Sequence, residues 1–238
     1  MSGPSFELAC FDTDAVRLGC ARGVDRLELC SQRDQDGLTP EDAMVEAALR
    51  YRHQGQPRII VMLRPDAEDT LWDENKLKNI VDLVNRWKNE GVDGFVIGFA
   101  GISNMHGHLE IAQEWLQSIL AIAPQKEWVF HRLIDRLHDP LQSLKILEWM
   151  GFRRVLSSGG SKTALDGWEN LLAWQSAFPG LEILAGGGIR SNHVQNLLIR
   201  APNRGLWPKG GLHASCILPG NESADEGELN RILFQVRS

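Results

Sequence analysis

The chain is 238 residues long, 43% hydrophobic and 24% charged, the composition of an ordinary globular protein with ample core to bury. A formal net charge of -6 and the lack of any long block of like charge exclude nucleic acid as a main partner, since phosphate binding needs a clustered basic face. No stretch approaches the ~20 apolar residues of a membrane span, so no membrane partner is expected.

The N-terminus, Met1-Ser2-Gly3-Pro4-Ser5, lacks the basic and apolar regions of a signal peptide. The first β-type run is Phe6-Glu7-Leu8-Ala9-Cys10, with a helical stretch from about Asp12 to Arg22 behind it. A second run, Arg26-Leu27-Glu28-Leu29-Cys30, leads to a helix opened by Thr39-Pro40-Glu41-Asp42. There Thr39 is the expected N-cap, with Pro40 at the first helical position and Asp42 close to a capping box. Arg58-Ile59-Ile60-Val61-Met62-Leu63 reads as a buried strand, and residues 73–89 as a helix ended by Gly91. Gly94-Phe95-Val96-Ile97-Gly98 precedes a helix near residues 108–121, and Trp128-Val129-Phe130-His131 one near 140–150. Arg154-Val155-Leu156-Ser157 precedes a helix over 164–178, and Leu181-Glu182-Ile183-Leu184-Ala185 a shorter one from Ser191 or Asn192. Gly211-Leu212-His213-Ala214-Ser215 is the eighth strand, and residues 225–236 supply the eighth helix.

Continuous Val/Ile/Leu runs are expected where helices cover one face of a sheet and a packed interior the other. Eight βα units of about 30 residues, with no linker between them, predict one (β/α)8 barrel domain over residues 1–238. An open doubly wound sheet would carry a glycine-rich phosphate turn after its first strand, and Cys10-Phe11-Asp12-Thr13 has no glycine.

In a barrel of this kind the βα loops build the functional site at the carboxyl ends of the strands. The polar residues near those ends are Glu7, Glu28, Arg64, His131, Arg132, Asp135 and His213. A carboxylate inside an apolar strand is costly unless paired, so Glu28 wants a partner such as Arg64, His131 or Arg132. His131 with Asp135 is an acid–base candidate, because an imidazole changes charge near neutral pH. Gly186-Gly187-Gly188, at the mouth of the following helix, is an expected anion cradle, with Ser158 and Gly159 from the neighbouring loop. The four cysteines, Cys10, Cys20, Cys30 and Cys216, contain no CxxC pair and are too few for a disulfide framework, which points to a reducing cytoplasm. Cys30 shares a strand face with Glu28, and His213 approaches from the eighth strand, so a metal on Cys30 is a second possibility. His106 and His108 flank Gly107 in what reads as a surface loop.

These segments resemble the CutC family, whose members are named for copper homeostasis. Gly23-Val24-Asp25-Arg26-Leu27-Glu28-Leu29-Cys30 is similar to the family's GADRIELC signature, and Gly37-Leu38-Thr39-Pro40 to its GGLTPS turn. Arg64-Pro65 resembles the start of RPRGGDF, and Phe130-His131-Arg132-Leu133-Ile134-Asp135 the FHRAFD motif. Val155 to Gly160 with Ala164 and Gly167, then Gly186-Gly187-Gly188-Ile189 and His213-Ala214-Ser215, follow in family order. The resemblance implies a TIM barrel, often a homodimer, with copper binding or copper tolerance as its role and Cu(I) as the ion. It also implies a pocket that looks more like an enzyme's than a metal chaperone's.

This chain departs from the family at three places. Ala9 stands where Cu(I)-associated members carry a first-strand cysteine, so two soft ligands shrink to one; Cys10, its neighbour, should face the other side of the strand. Asp66-Ala67-Glu68-Asp69 replaces Arg-Gly-Gly-Asp, with Trp72 where a tyrosine is common. Gly211 replaces the carboxylate that often precedes the last His-x-Ser. Three functions are therefore expected of the strand-end site. The first is copper binding in the cytoplasm. The second is lyase or isomerase chemistry on a small phosphorylated or polyhydroxy substrate. The third is non-catalytic binding of a small molecule or metal ion.

Overall fold

The computed structural model describes residues 4–67, 73–102, 107–200 and 207–238; Glu68, Asp69, Trp72 and His106 lie outside the described residues. Eight parallel strands close into a barrel: β1 (Phe6–Cys10), β2 (Arg26–Leu29), β3 (Arg58–Met62), β4 (Gly94–Ile97), β7 (Glu127–Phe130), β8 (Arg154–Ser157), β9 (Glu182–Gly186) and β10 (Gly211–Ala214). β10 returns to pair with β1, aligning Glu7 with His213. Between β4 and β7 the chain makes an antiparallel hairpin, β5 (Ala100–Ile102) with β6 (Leu109–Ile111). A helix was expected to begin there, but α4 (Gln113–Leu120) starts only after the hairpin.

The other helices follow the expected order: α1 (Thr13–Arg22), α2 (Asp42–Tyr51), α3 (Glu74–Trp87), α5 (Pro140–Trp149), α6 (Trp168–Ala177), α7 (Ser191–Arg200) and α8 (Glu226–Arg237). Aspartates start four of them. Asp12, Asp73, Asp139 and Asp225 each accept a hydrogen bond from the amide three residues on, at 2.7–3.0 Å, worth about 1 kcal/mol apiece. Thr39 does not cap α2. Its hydroxyl accepts the Arg64 amide at 2.8 Å, joining the loop after β2 to the end of β3, and the helix begins at Asp42 instead. Among the described residues no helix is long and apolar enough to cross a membrane.

The period of two along each strand divides the core. Phe6, Leu8 and Cys10 of β1, Leu27 and Leu29 of β2, and Ile59 and Val61 of β3 belong to the large apolar layer between barrel and helices. Ile60, Met62, Val96 and Val129 point inward with Cys30 and form a small separate cluster inside the barrel. Below that cluster the interior is charged. Arg26, Arg58, Glu127, Arg154 and Glu182 are each the first residue of a strand, so their side chains meet at the amino end of the barrel. Arg26 donates to Glu7 at 2.8 Å, Arg58 pairs with Glu127 at 2.7 Å, and Arg154 pairs with Glu127 and with Glu182, the latter at 2.8 Å. Arg26 with Glu7 and Arg154 with Glu127 are buried on both sides, and removing one member of such a pair costs about 3–5 kcal/mol, because it strands the other charge.

The N-terminus of α7 faces a carboxylate from within the chain. Glu228 of α8, 3% exposed, accepts the Ser191 amide and the Ser191 hydroxyl, both at 2.7 Å, and is held by Arg231. Burial pushes the Glu228 carboxyl up, but the hydrogen bonds from Ser191 and the Arg231 charge outweigh it, and the net shift is downward. A depressed carboxyl contributes stability that is present above its unfolded value and lost as pH falls through its folded value. Glu228→Gln is therefore expected to cost about 1 kcal/mol at pH 7, with a smaller gap to wild type at an acid pH below the folded value, where both side chains are uncharged. Urea unfolding at the two pH values checks this, and a pH-independent gap would contradict it.

Candidate functional site

At the carboxyl ends of the strands lies a cavity of about 440 Å³, a volume typical of small-molecule sites. Ala9, Glu28, Cys30, Met62 and His213 line it from the strands, and Arg64, His131, Arg132, Asp135, Gly187 and Gly188 from the loops above. The structure thus brings nearly all of the expected polar residues to one place. Glu7 is one layer deeper, tied to Arg26 and aligned with His213 across the β1–β10 seam.

Glu28, 2% exposed, finds its partner in His213, with Oε2 3.1 Å from Nε2. The sequence offered Arg64, His131 or Arg132 for this role. All three sit on loops beyond the strands, whereas His213 stands on β10, next to β1 in the closed barrel. Burial, then the negative charge of Glu7, push the Glu28 carboxyl up to about 8, with the Cys30 thiol pulling the other way. His213 is shifted down, first by burial and then by Arg26 and Arg132, against the pull of Glu7. Glu7 behaves oppositely to Glu28. Burial raises it, but Arg26, His213 and Arg154 more than compensate, and it stays charged.

The other groups are held in specific ways. His131 caps the short 3-10 turn Arg132–Arg136, its Nδ1 accepting the Leu133 amide at 3.2 Å. Gly98 is obligatory beneath the ring, since a Cβ there would lie 2.5–2.8 Å from three imidazole atoms. The Gly after Ile97 was the sequence signal for this contact, and only the fold shows what it faces. Arg64 donates to the carbonyls of Gln35, Gly37 and Ala67 at 2.6–3.0 Å, so it fastens the loops after β2 and β3 over the cavity. Arg132 reaches across Gly187. A Cβ on that glycine, whose φ is +106°, would come within 3.3 Å of the guanidinium carbon. Arg190, which sequence reasoning did not single out, also lines the cavity and donates to the Ile217 carbonyl at 2.9 Å. It directly follows Gly186-Gly187-Gly188-Ile189, the one clue to it in the sequence.

Asp135, expected beside His131 as part of an acid–base group, is occupied elsewhere. Its carboxylate accepts the Ser157 hydroxyl (2.5 Å), the Ser158 amide and hydroxyl (both 2.9 Å) and the Gly160 amide (2.9 Å), with Arg132 Nε 3.6 Å away. It is a positioning residue that shapes the β8 loop. The same network corrects part of the expected anion cradle. The Ser158 amide is spent on Asp135, its single hydroxyl proton is shared between the Ser161 carbonyl (2.6 Å) and Asp135 (2.9 Å), and the Gly159 amide is spent on the Ser157 hydroxyl at 2.8 Å. Gly186 is the last residue of β9, packed against Leu156 and His213. Gly187 and Gly188 remain at the cavity wall.

The cysteines do not form the paired thiolates that the resemblance implies for Cu(I). Ala9 faces the cavity, Cys10 faces the helix layer, and Cys30 alone brings sulfur from a cysteine to the site. Burial and the Glu28 carboxyl beside it push the Cys30 thiol well above its usual range, which opposes the thiolate that soft-metal binding needs. These residues do not fit a two-thiolate Cu(I) centre.

Asp135→Asn would set an amide group against the donors that Asp135 now satisfies. It is expected to cost about 2–3 kcal/mol in denaturant unfolding and to loosen the β8 loop. Stability equal to wild type would contradict the positioning role.

Comparison with known proteins completes the picture. The CutC family model matches residues 5–207. The human copper homeostasis protein cutC homolog is 30% identical over 191 residues, covering 79% of this chain and 67% of that protein. A CutC family protein of Sinorhizobium medicae is 33% identical over 197 residues, covering 82% and 76%. Among solved structures, the copper homeostasis protein CutC of Streptococcus agalactiae superposes with a TM-score of 0.76 at 24% identity, covering 89% of this chain and 98% of that one. A sialic acid aldolase of Ruminococcus gnavus gives 0.55 at 16% identity, covering 90% and 68%, a likeness of fold alone. The motif order, the closed barrel and these matches agree, and the chain belongs to the CutC family.

Proposed function

We propose that this chain is a cytoplasmic copper-homeostasis protein that acts through the strand-end cavity. One observation carries the reading: the family match spans residues 5–207, from which nearly all of the cavity is built. Relatives from human, mouse and Caenorhabditis elegans bear the name copper homeostasis protein cutC homolog. With Ala9 in place of a second thiol, the copper role does not run through tight Cu(I) capture by paired cysteines, and a homodimer is part of the same reading. A copper-sensitive strain lacking its own family member tests it. Expression of this chain is expected to restore growth on copper, and unchanged sensitivity would count against it.

A second reading is favoured by Arg132 and the glycine turn. Arg132 spans Gly187 at the rim of a cavity of small-molecule size, which places fixed positive charge where an anionic group would dock. That arrangement suits a lyase or isomerase acting on a small phosphorylated or polyhydroxy molecule, with His131 in the same cavity to move a proton. Inorganic phosphate at ten times its dissociation constant is expected to stabilise the wild type by about 1.4 kcal/mol. Arg132→Met should abolish this without lowering stability in phosphate-free buffer by more than about 1 kcal/mol. Equal stabilisation of both proteins in thermal unfolding would contradict the anion assignment.

A further inference from the structure

We propose that the floor of the cavity is a site for a divalent transition-metal ion, held by Glu7, Glu28 and His213 with one coordination position open to the cavity. The three residues come from neighbouring strands, β1, β2 and β10, and one ligand atom from each lies within 4.8 Å of the others. All are buried in the barrel, Glu7 at 1% and Glu28 at 2% exposure.

Two further observations point to an occupant. Glu28 Oε1 is fully enclosed, with only the Cys30 thiol beside the carboxyl to meet it, and His213 Nδ1 is enclosed with no hydrogen-bond partner. His213 Nδ1 also lies 3.9 Å from Glu7 Oε1. That gap is too long for a hydrogen bond, and a few tenths of an ångström wider than the roughly 3.3–3.6 Å between two tetrahedral ligands at about 2.0–2.2 Å from one ion. Glu7 is moreover set as a metal ligand usually is. Arg26 holds Oε2 at 2.8 Å and leaves Oε1 directed at the imidazole, an outer partner that fixes the orientation of the inner one.

The donor set selects the ion. Two carboxylates and an imidazole suit zinc, manganese or iron(II), whereas Cu(I) prefers the sulfur that Ala9 has removed. Three protein ligands with the fourth position facing a cavity is the arrangement of a catalytic rather than a structural zinc site. Of the groups in the three-residue cluster, His213 and Glu28 also line the cavity, so the open position faces whatever binds there. The inference rests on the cavity being the functional site and does not depend on copper.

Titration of metal-free protein with zinc, followed by calorimetry, is the test. Wild type is expected to bind one equivalent. Glu28→Gln and His213→Gln should weaken binding at least 10–100-fold, and Cys30→Ser should bind as wild type does. A cobalt(II) titration of wild type serves if a variant fails to fold, because nitrogen and oxygen ligands give d–d bands without a thiolate charge-transfer band. No saturable zinc binding by wild type, binding unaltered in both variants, loss of binding in Cys30→Ser, or a thiolate band would each overturn the site. Absent zinc binding with copper tolerance intact would overturn the metal site alone. Zinc binding without copper tolerance would support the metal site and remove only the copper role.

Discussion

Two carboxylates from adjacent strands, Glu7 and Glu28, are buried inside one barrel, and the rest of the site follows from how that negative charge is met. Glu7 is met from below, by Arg26 and through it by the charged layer that closes the amino end of the barrel. Glu28 is met from the side, by His213 across the closing seam of the sheet. Arg26 is turned toward Glu7, Ser5 and the Gly210 carbonyl rather than toward Glu28, which is pushed to about 8 by burial and by its neighbour's charge. The floor of the cavity thus holds two carboxylates, of which only Glu7 is paired with an arginine. The push on Glu28 is a low-dielectric effect, since the same pair in water would interact by only about 1 kcal/mol.

Much of the architecture was legible in the sequence because it depends on local patterning. Short continuous apolar runs alternating with longer amphipathic stretches identified all eight barrel strands and their helices in order. The inward position of Ala9 and the outward position of Cys10 followed from pleating alone. The hairpin over 100–111 escaped notice because its strands are three residues each, too short to show alternation. Thr39 misled for a different reason. Its side chain is recruited by the Arg64 amide 25 residues away, a tertiary contact that overrides the local capping preference.

The site was legible as a set of residues and much less so as a set of roles. Residue type and strand position grouped Glu28, Arg64, His131, Arg132 and His213, and all five line the one cavity described. Partner choice depended on barrel closure, which places β10 beside β1 and His213 against Glu28, and no spacing in the sequence encodes that distance. Asp135 and Ser158 looked available for chemistry and are instead saturated by each other and by neighbouring amides. Membership of the CutC family and the identity of the functional groups therefore part company at the sulfur. The chain retains the carboxylates, arginines and histidines of the resemblance while presenting Cys30 without its thiol partner.

The claim at the centre of this account is that the chemistry of the cavity rests on carboxylate and imidazole, not on thiolate. Anomalous diffraction from crystals equilibrated with zinc tests it most directly. The account predicts one strong peak among Glu7, Glu28 and His213, about 2.0–2.2 Å from one atom of each. A peak on the Cys30 sulfur, or no peak inside the barrel, would contradict it.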